Sequence, residues 1–105
     1  MNEDSLNWYI LKDNHSIKRV SLQEWSKWAG KSFNQRRVNQ TFVDKVNIST
    51  MFLIAPMWDD RFFETMVFDG PLDSETEHYA TWDEAEAGHQ EMVARVKSAM
   101  EEAKE

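Results

Sequence analysis

The chain has 105 residues, 41% of them hydrophobic and 30% charged, with a formal net charge of −7 and no cysteine. That length supports one modest core and not two, and the composition is that of a globular chain and not of a disordered tail. The missing cysteine excludes disulfides, thiolate chemistry and cysteine-held zinc or iron.

From the N-terminus, NWYILK at 7–12, the turn-forming Asp13-Asn14-His15-Ser16 and IKRV at 17–20 predict a hairpin, because Asp and Asn tolerate the left-handed backbone of a tight turn. SLQE at 21–24 is a capping box and starts a short helix, with Val20 and Trp25 at the staple positions. Gly30 is expected to end that helix in the left-handed conformation. RRVNQTFV at 36–43 changes to a period of two, Asp44-Lys45 is a hairpin break, and VNISTMFLI at 46–54 is a strand with apolar residues on both faces. APMWDD is expected to turn the chain, and RFFETMVF at 61–68 returns as a third strand ended by Asp69-Gly70-Pro71. A second capping box, Thr81-Trp82-Asp83-Glu84, opens a long amphipathic helix whose apolar stripe runs Trp82, Ala85, His89, Met92, Val96, Ala99, Ala103. These elements predict a single α+β domain over 1–105, in the order ββαβββα, with an antiparallel sheet and the C-terminal helix packed on one face. Residues 1–6 and 101–105 are expected to fray.

Charge is divided along the chain. Residues 1–58 carry eight Lys/Arg and five Asp/Glu, residues 59–105 four and fourteen, and within 59–91 Arg61 is the only base among eleven acids. Such a segment repels phosphates and attracts a basic surface; its ordinary reading is a solvated charge run. Asp73, Glu75 and Glu77, in the connection before the last helix, are the candidate contacts. Met57 and Trp58, followed by Asp59 and Asp60, have the composition of an interaction site, the alternative being a Trp58 folded back over the sheet edge.

Other constellations are weaker. Glu64 shares a strand face with Phe62, Met66 and Phe68, so it is either buried against a partner, with Arg36 or Arg37 across the strands as the expected one, or exposed on a face with little helix cover. A buried carboxylate of raised pKa would be a general acid or base candidate, but nothing near it in sequence identifies a second catalytic group. His78 and His89 are not spaced as HExxH; His89 falls on the helix stripe and is expected to be a partly buried histidine with a satisfied ring nitrogen. His15 is expected to be a turn residue. Of five tryptophans, Trp8, Trp25, Trp28 and Trp82 fall where a core would take them. Lys31, Phe33, Arg36 and Arg37 lack any nucleic-acid-binding pattern, and there is no phosphate loop or nucleophile turn. No metal or cofactor is expected.

The phrases RRVNQTFVDKVNISTMFLI, FFETMVFDGPLD and HYATWDEAEAGHQEMVARVK, in that order, resemble a set of small proteins encoded in phage, prophage and bacterial genomes. Those proteins share an RRV strand, a VSTVFLGLDH-like strand, a phrase close to LFETMVFGG and a YSTWEEAEAGH helix start. The resemblance covers about 36–97 and makes Glu64 part of a common architecture. It carries no activity over to this chain, and APMWDD departs from the Gly- and Pro-rich connection of those relatives.

The longest apolar stretch, MFLIAPMW at 51–58, is well short of the ~20 residues of a membrane helix. The start, MNEDSLNWYILKDN, has acids where a secretory signal has bases. A cytoplasmic protein of the host cell is therefore expected. The functional expectation is a small non-enzymatic interaction protein of a phage or mobile element, possessing an acidic surface over 59–91 that meets a basic host or phage partner and inhibits a host factor. No direct nucleic-acid or membrane binding is expected. The alternatives are an enzyme or small-ligand binder using Glu64 with a histidine, and a phage structural or assembly accessory protein.

Overall fold

The computed structural model describes residues 8–57 and 61–104, with the side chains of all of these except 54–57. The N-terminal hairpin pairs β1 (Trp8–Leu11) with β2 (Ile17–Val20) in the register Trp8↔Val20 to Leu11↔Ile17. Its turn is held by Asn14, whose Oδ1 accepts from the Ser16 N–H at 3.1 Å and the Ser16 hydroxyl at 2.6 Å. The left-handed residue is His15, with φ 69°, and not Asp13 or Asn14. α1 (Leu22–Ala29) starts as expected: Ser21 Oγ accepts from the Glu24 N–H at 3.2 Å. Its end differs from the expectation. Gly30 is right-handed, with φ −70°, because the chain runs on into further right-handed turns in which the Arg36 N–H reaches Ser32 O at 2.9 Å.

The main sheet is an antiparallel meander, β3-β4-β5-β6, of β3 (Arg37–Val43), β4 (Val46–Met57), β5 (Arg61–Phe68) and β6 (Thr76–Tyr79). β3 and β4 join through the two-residue break Asp44-Lys45, with Asp44 supplying the positive φ that a tight hairpin requires. β4 continues past the expected end at 54, so Ala55, Pro56 and Met57 belong to the strand instead of to a turn. Its ladder with β5 is interrupted between Phe52 and Met57, a stretch in which Pro56 has no N–H to donate. The expected order of elements is present, with the short edge strand β6 added between β5 and the last helix.

α2 (Trp82–Lys104) carries the capping box: the Glu84 N–H donates to Thr81 Oγ1 at 3.1 Å, and the Thr81 hydroxyl donates to Glu84 Oε1 at 3.3 Å. At 1.5 Å per residue the helix is ~34 Å long, and Glu101–Lys104 overhang, exposed. Its buried stripe is Ala85, Gly88, His89, Met92, Val93 and Val96, so Gly88 and Val93 join the stripe expected from spacing while Ala103 is exposed. Gly88 is needed because the Tyr79 ring of β6 lies where a Cβ would stand.

The helix covers the face of the sheet formed by alternate residues of β4 and β5. Val46, Ile48 and Val67 pack with Met92, Val93 and Val96 at one end. Leu11, Phe52, Phe62, Phe63 and Ala85 form the other end, closed by Tyr9, Trp28 and Trp82. Fully burying a Val, Leu, Ile, Phe or Met side chain in these clusters contributes about 1.5–3 kcal/mol. The tryptophans do pack: Trp8 lies 4.6 Å from Trp25, Trp28 meets Phe52 edge-on at 5.6 Å, and Trp82 meets Phe63 edge-on while the His15 ring stacks on it at 3.6 Å.

Candidate functional site

Strand alternation gives the sheet two faces of different chemistry. Between the two apolar clusters, on the helix side, lies a polar chain. His89, with no exposed surface, has Nδ1 2.7 Å from Thr50 Oγ1 and Nε2 2.8 Å from Thr41 Oγ1, and Thr50 Oγ1 in turn hydrogen-bonds Thr65 Oγ1. Burial lowers the His89 pKa below its ordinary value, so the ring is neutral near pH 7. One nitrogen then donates and the other accepts, and both are satisfied. His89 is thus more buried than expected, with both ring nitrogens bonded, and it is sealed from solvent.

Among the described residues no helix packs on the opposite face, although Phe62 at one end of it is buried against Tyr9. Cross-strand register sets out its rows. Phe42, Asn47 and Phe68 lie side by side on β3, β4 and β5. The next row is Gln40, Ser49, Met66 and Thr76, and the third is Arg37, Met51, Glu64 and His78. Gln40 Nε2 donates to Asn47 Oδ1 at 3.2 Å along this face. A shallow groove of about 340 Å³ runs over it, lined by Arg36, Met51, Leu53, Glu64, Met66 and Phe68 among others. Phe42 and Phe68 are 62% and 44% exposed.

Glu64 sits on this open face and is neither deeply buried nor paired with Arg36 or Arg37. Its partner is His78, with Nε2 2.9 Å from Glu64 Oε2. The reason is strand order: β5 lies between β4 and β6, so the nearest polar neighbour in register is on β6, whereas Arg37 is a strand further away. Since a carboxylate only accepts, Nε2 carries the hydrogen. The structure therefore joins Glu64 to a histidine, though to His78 and not to His89, which is on the other side of the sheet. Among the described residues no hydroxyl hydrogen-bonds His78, so the pair lacks the nucleophile of a triad. Nor, among the described residues, do three His, Asp or Glu side chains come together to hold a metal ion.

The basic residues before β3 also have a place. Arg36 Nε donates to Ser32 Oγ at 3.1 Å, and the Arg36 and Arg37 guanidinium groups each lie 5.7 Å from the centre of the exposed Phe33 ring. Among the described residues neither arginine has a carboxylate partner.

The candidate acids group at the β6 edge on the helix side. Glu75 and Glu77 both reach Arg95 of α2, at 2.9 and 3.6 Å, and Glu77, Glu91 and Arg95 line one small groove beside Tyr79. Burial, with Glu77 and Glu91 nearby, raises the Tyr79 pKa, so its phenol stays neutral. Asp73 is partly structural: its Oδ1 accepts from the Asp69 N–H at 2.6 Å and holds a turn in which Asp69, Gly70 and Ser74 have positive φ. Met57 stands in β4 opposite Arg61; Trp58, Asp59 and Asp60 lie outside the described residues. Sequence reasoning missed His78 and Arg95 as partners. For His78 the available signal was its alternation with Thr76 in TEHY.

Comparison with protein-family models, curated proteins and solved structures returned no match. Among the described residues no helix is long and apolar enough to cross a membrane.

Proposed function

We propose that the protein is a small non-enzymatic interaction protein of a phage or other mobile element, engaging a host or phage partner through a basic surface on that partner and inhibiting a host factor. The observation that carries this reading is the cluster at the β6 edge. There β6 and α2 bring Glu75, Glu77 and Glu91 around the single base Arg95, leaving an excess of negative charge on an exposed strip. Asp69 and Asp73 in the preceding turn, and Asp83, Glu84 and Glu86 at the start of α2, are further exposed acids of the same segment. Attraction of this kind speeds encounter with a positive surface and falls with salt. The resemblance of the RRV, FETMVF and TWDEAEAGH phrases to phage and prophage proteins supports the origin.

The test is capture of a partner from host lysate by tagged protein at low and high salt, with Glu77→Lys/Glu91→Lys as the comparison. These two positions are exposed and leave the Asp73 turn intact, so the fold should be kept. The expected result is a basic partner lost both at high salt and with the double variant. A partner held equally by the double variant, with unchanged salt dependence, would show that the acidic strip is not the interface.

A further inference from the structure

We infer that the open face of the sheet is a homodimer interface, in which two copies pack face to face about a two-fold axis running along β4. This inference is independent of the acidic strip, which lies on the helix side of the same sheet.

The argument rests on the order of side chains across the strands. β3 and β5 flank β4 at equal spacing, about 4.8 Å on either side. A two-fold rotation about β4 therefore lays β3 of one copy over β5 of the other. The row Arg37, Met51, Glu64 is then superposed on its own reverse, so that Arg37 faces Glu64 of the second copy, Glu64 faces its Arg37, and Met51 meets Met51. The row Phe42, Asn47, Phe68 behaves the same way, placing Phe42 against Phe68 twice, and Ser49 lies on the axis between them. An isologous contact demands this kind of self-complementary patch, and sheets packed face to face with aligned strands lie about 10 Å apart.

Charge selects a second copy over other occupants. Among the described residues Arg37 has no carboxylate partner, while Glu64 is half-exposed with one of its oxygens on His78. Each copy presents one cation and one anion at symmetry-related places, beside apolar residues that are left partly or largely exposed in the single chain. A uniformly basic or acidic partner would satisfy one of the two and bury the other against like charge, which is costly. The strand's 3.3 Å rise per residue puts the ionic row and the aromatic row about 13 Å apart. Two symmetric salt contacts would therefore sit at one end of the patch and two aromatic contacts at the other.

The experiment uses the full chain in sedimentation equilibrium over a wide concentration range, for the wild type, Arg37→Glu, Glu64→Arg and the double reversal, each checked for folding by circular dichroism. The wild type is expected to dimerise. Each single reversal should weaken the dimer by about tenfold or more, since it sets like charges opposite each other twice, and the double reversal should restore it. As an arm that does not depend on charge, Ser49→Cys introduces the only thiol of the chain, and a short bifunctional thiol reagent should join it to its symmetry mate, whereas Lys97→Cys on the outer side of α2 should stay uncrosslinked. A wild type that is monomeric at the highest concentration overturns the inference. So does a dimer indifferent to both single reversals, a double reversal no tighter than the weaker single, or a Ser49→Cys protein that crosslinks no better than Lys97→Cys.

Discussion

The two faces of one sheet use the same strands for opposite purposes. On the helix side alternate residues from Val46 to Phe52 and from Phe63 to Val67 are sealed, and even the polar ones, Thr50 and Thr65, find partners inside, together with His89 of α2. On the open side the intervening residues Asn47, Ser49, Met51, Glu64, Met66 and Phe68 are half-buried or exposed, and Phe62, at the end of that row, is buried against Tyr9. The backbone is common to both, so the contrast is entirely one of side chains. It separates the residues that keep the protein folded from those free to serve recognition.

The sharpest test of that separation is truncation of a large aromatic on each side. Phe63→Ala, within the sealed cluster, is expected to cost about 3–5 kcal/mol in chemical denaturation, and a loss below about 1 kcal/mol would break the contrast. Gly88→Ala should come next. Although alanine is the better helix former, its methyl must displace the Tyr79 ring, and overpacking of this kind costs about 1–3 kcal/mol. Combining it with Tyr79→Ala should remove most of the penalty, and persistence of the penalty would mean that the helix–β6 contact is misassigned. Thr81→Ala, which removes the cap of α2, should cost about 1 kcal/mol by thermal melt. Phe42→Ser on the open face should change single-chain stability by less than about 0.5 kcal/mol.

His89 adds a pH dependence specific to the sealed side. Its folded pKa is depressed by burial relative to the unfolded value near 6.5, so below that value the unfolded chain binds a proton that the folded one refuses. The stability contribution of the neutral ring is thus complete above about pH 6.5 and is lost as pH falls through the window beneath it. Urea melts at a series of pH values should show this decline, and His89→Gln should flatten that part of the curve. An equal slope in the variant would assign the decline to other groups.

Much of the architecture was legible because it rests on local signals. Alternation marked β3 to β5, and Ser21 and Thr81 marked the helix starts by cap chemistry. β6 was not legible, since TEHY is short, holds one aromatic and lies at the sheet edge, where pairing depends on β5 and not on its own pattern. The same gap hid the partner of Glu64. Alternation says which face a side chain takes, but only strand order decides whether Arg37 or His78 lies beside it. His89 was placed correctly on the helix stripe, while Thr41 and Thr50 could be found only through the sheet register. Gly30 misled because glycine permits a left-handed stop without requiring one.

The stacking of His15 on Trp82 has a bearing on the order of folding. β3, β4 and β5 succeed one another in the chain, and the Asp44-Lys45 hairpin closes over two residues, so this part of the meander can form early at little loop-closure cost. The cluster that holds Leu11, Tyr9 and Trp28 also needs Trp82 and Ala85, which follow most of the chain later. During synthesis the N-terminal hairpin and α1 must therefore wait, with Trp8, Trp25 and Trp28 incompletely covered, until the start of α2 has left the ribosome. Closing that seam joins the N-terminal hairpin to the start of the C-terminal helix, and it has to wait until most of the chain has been made.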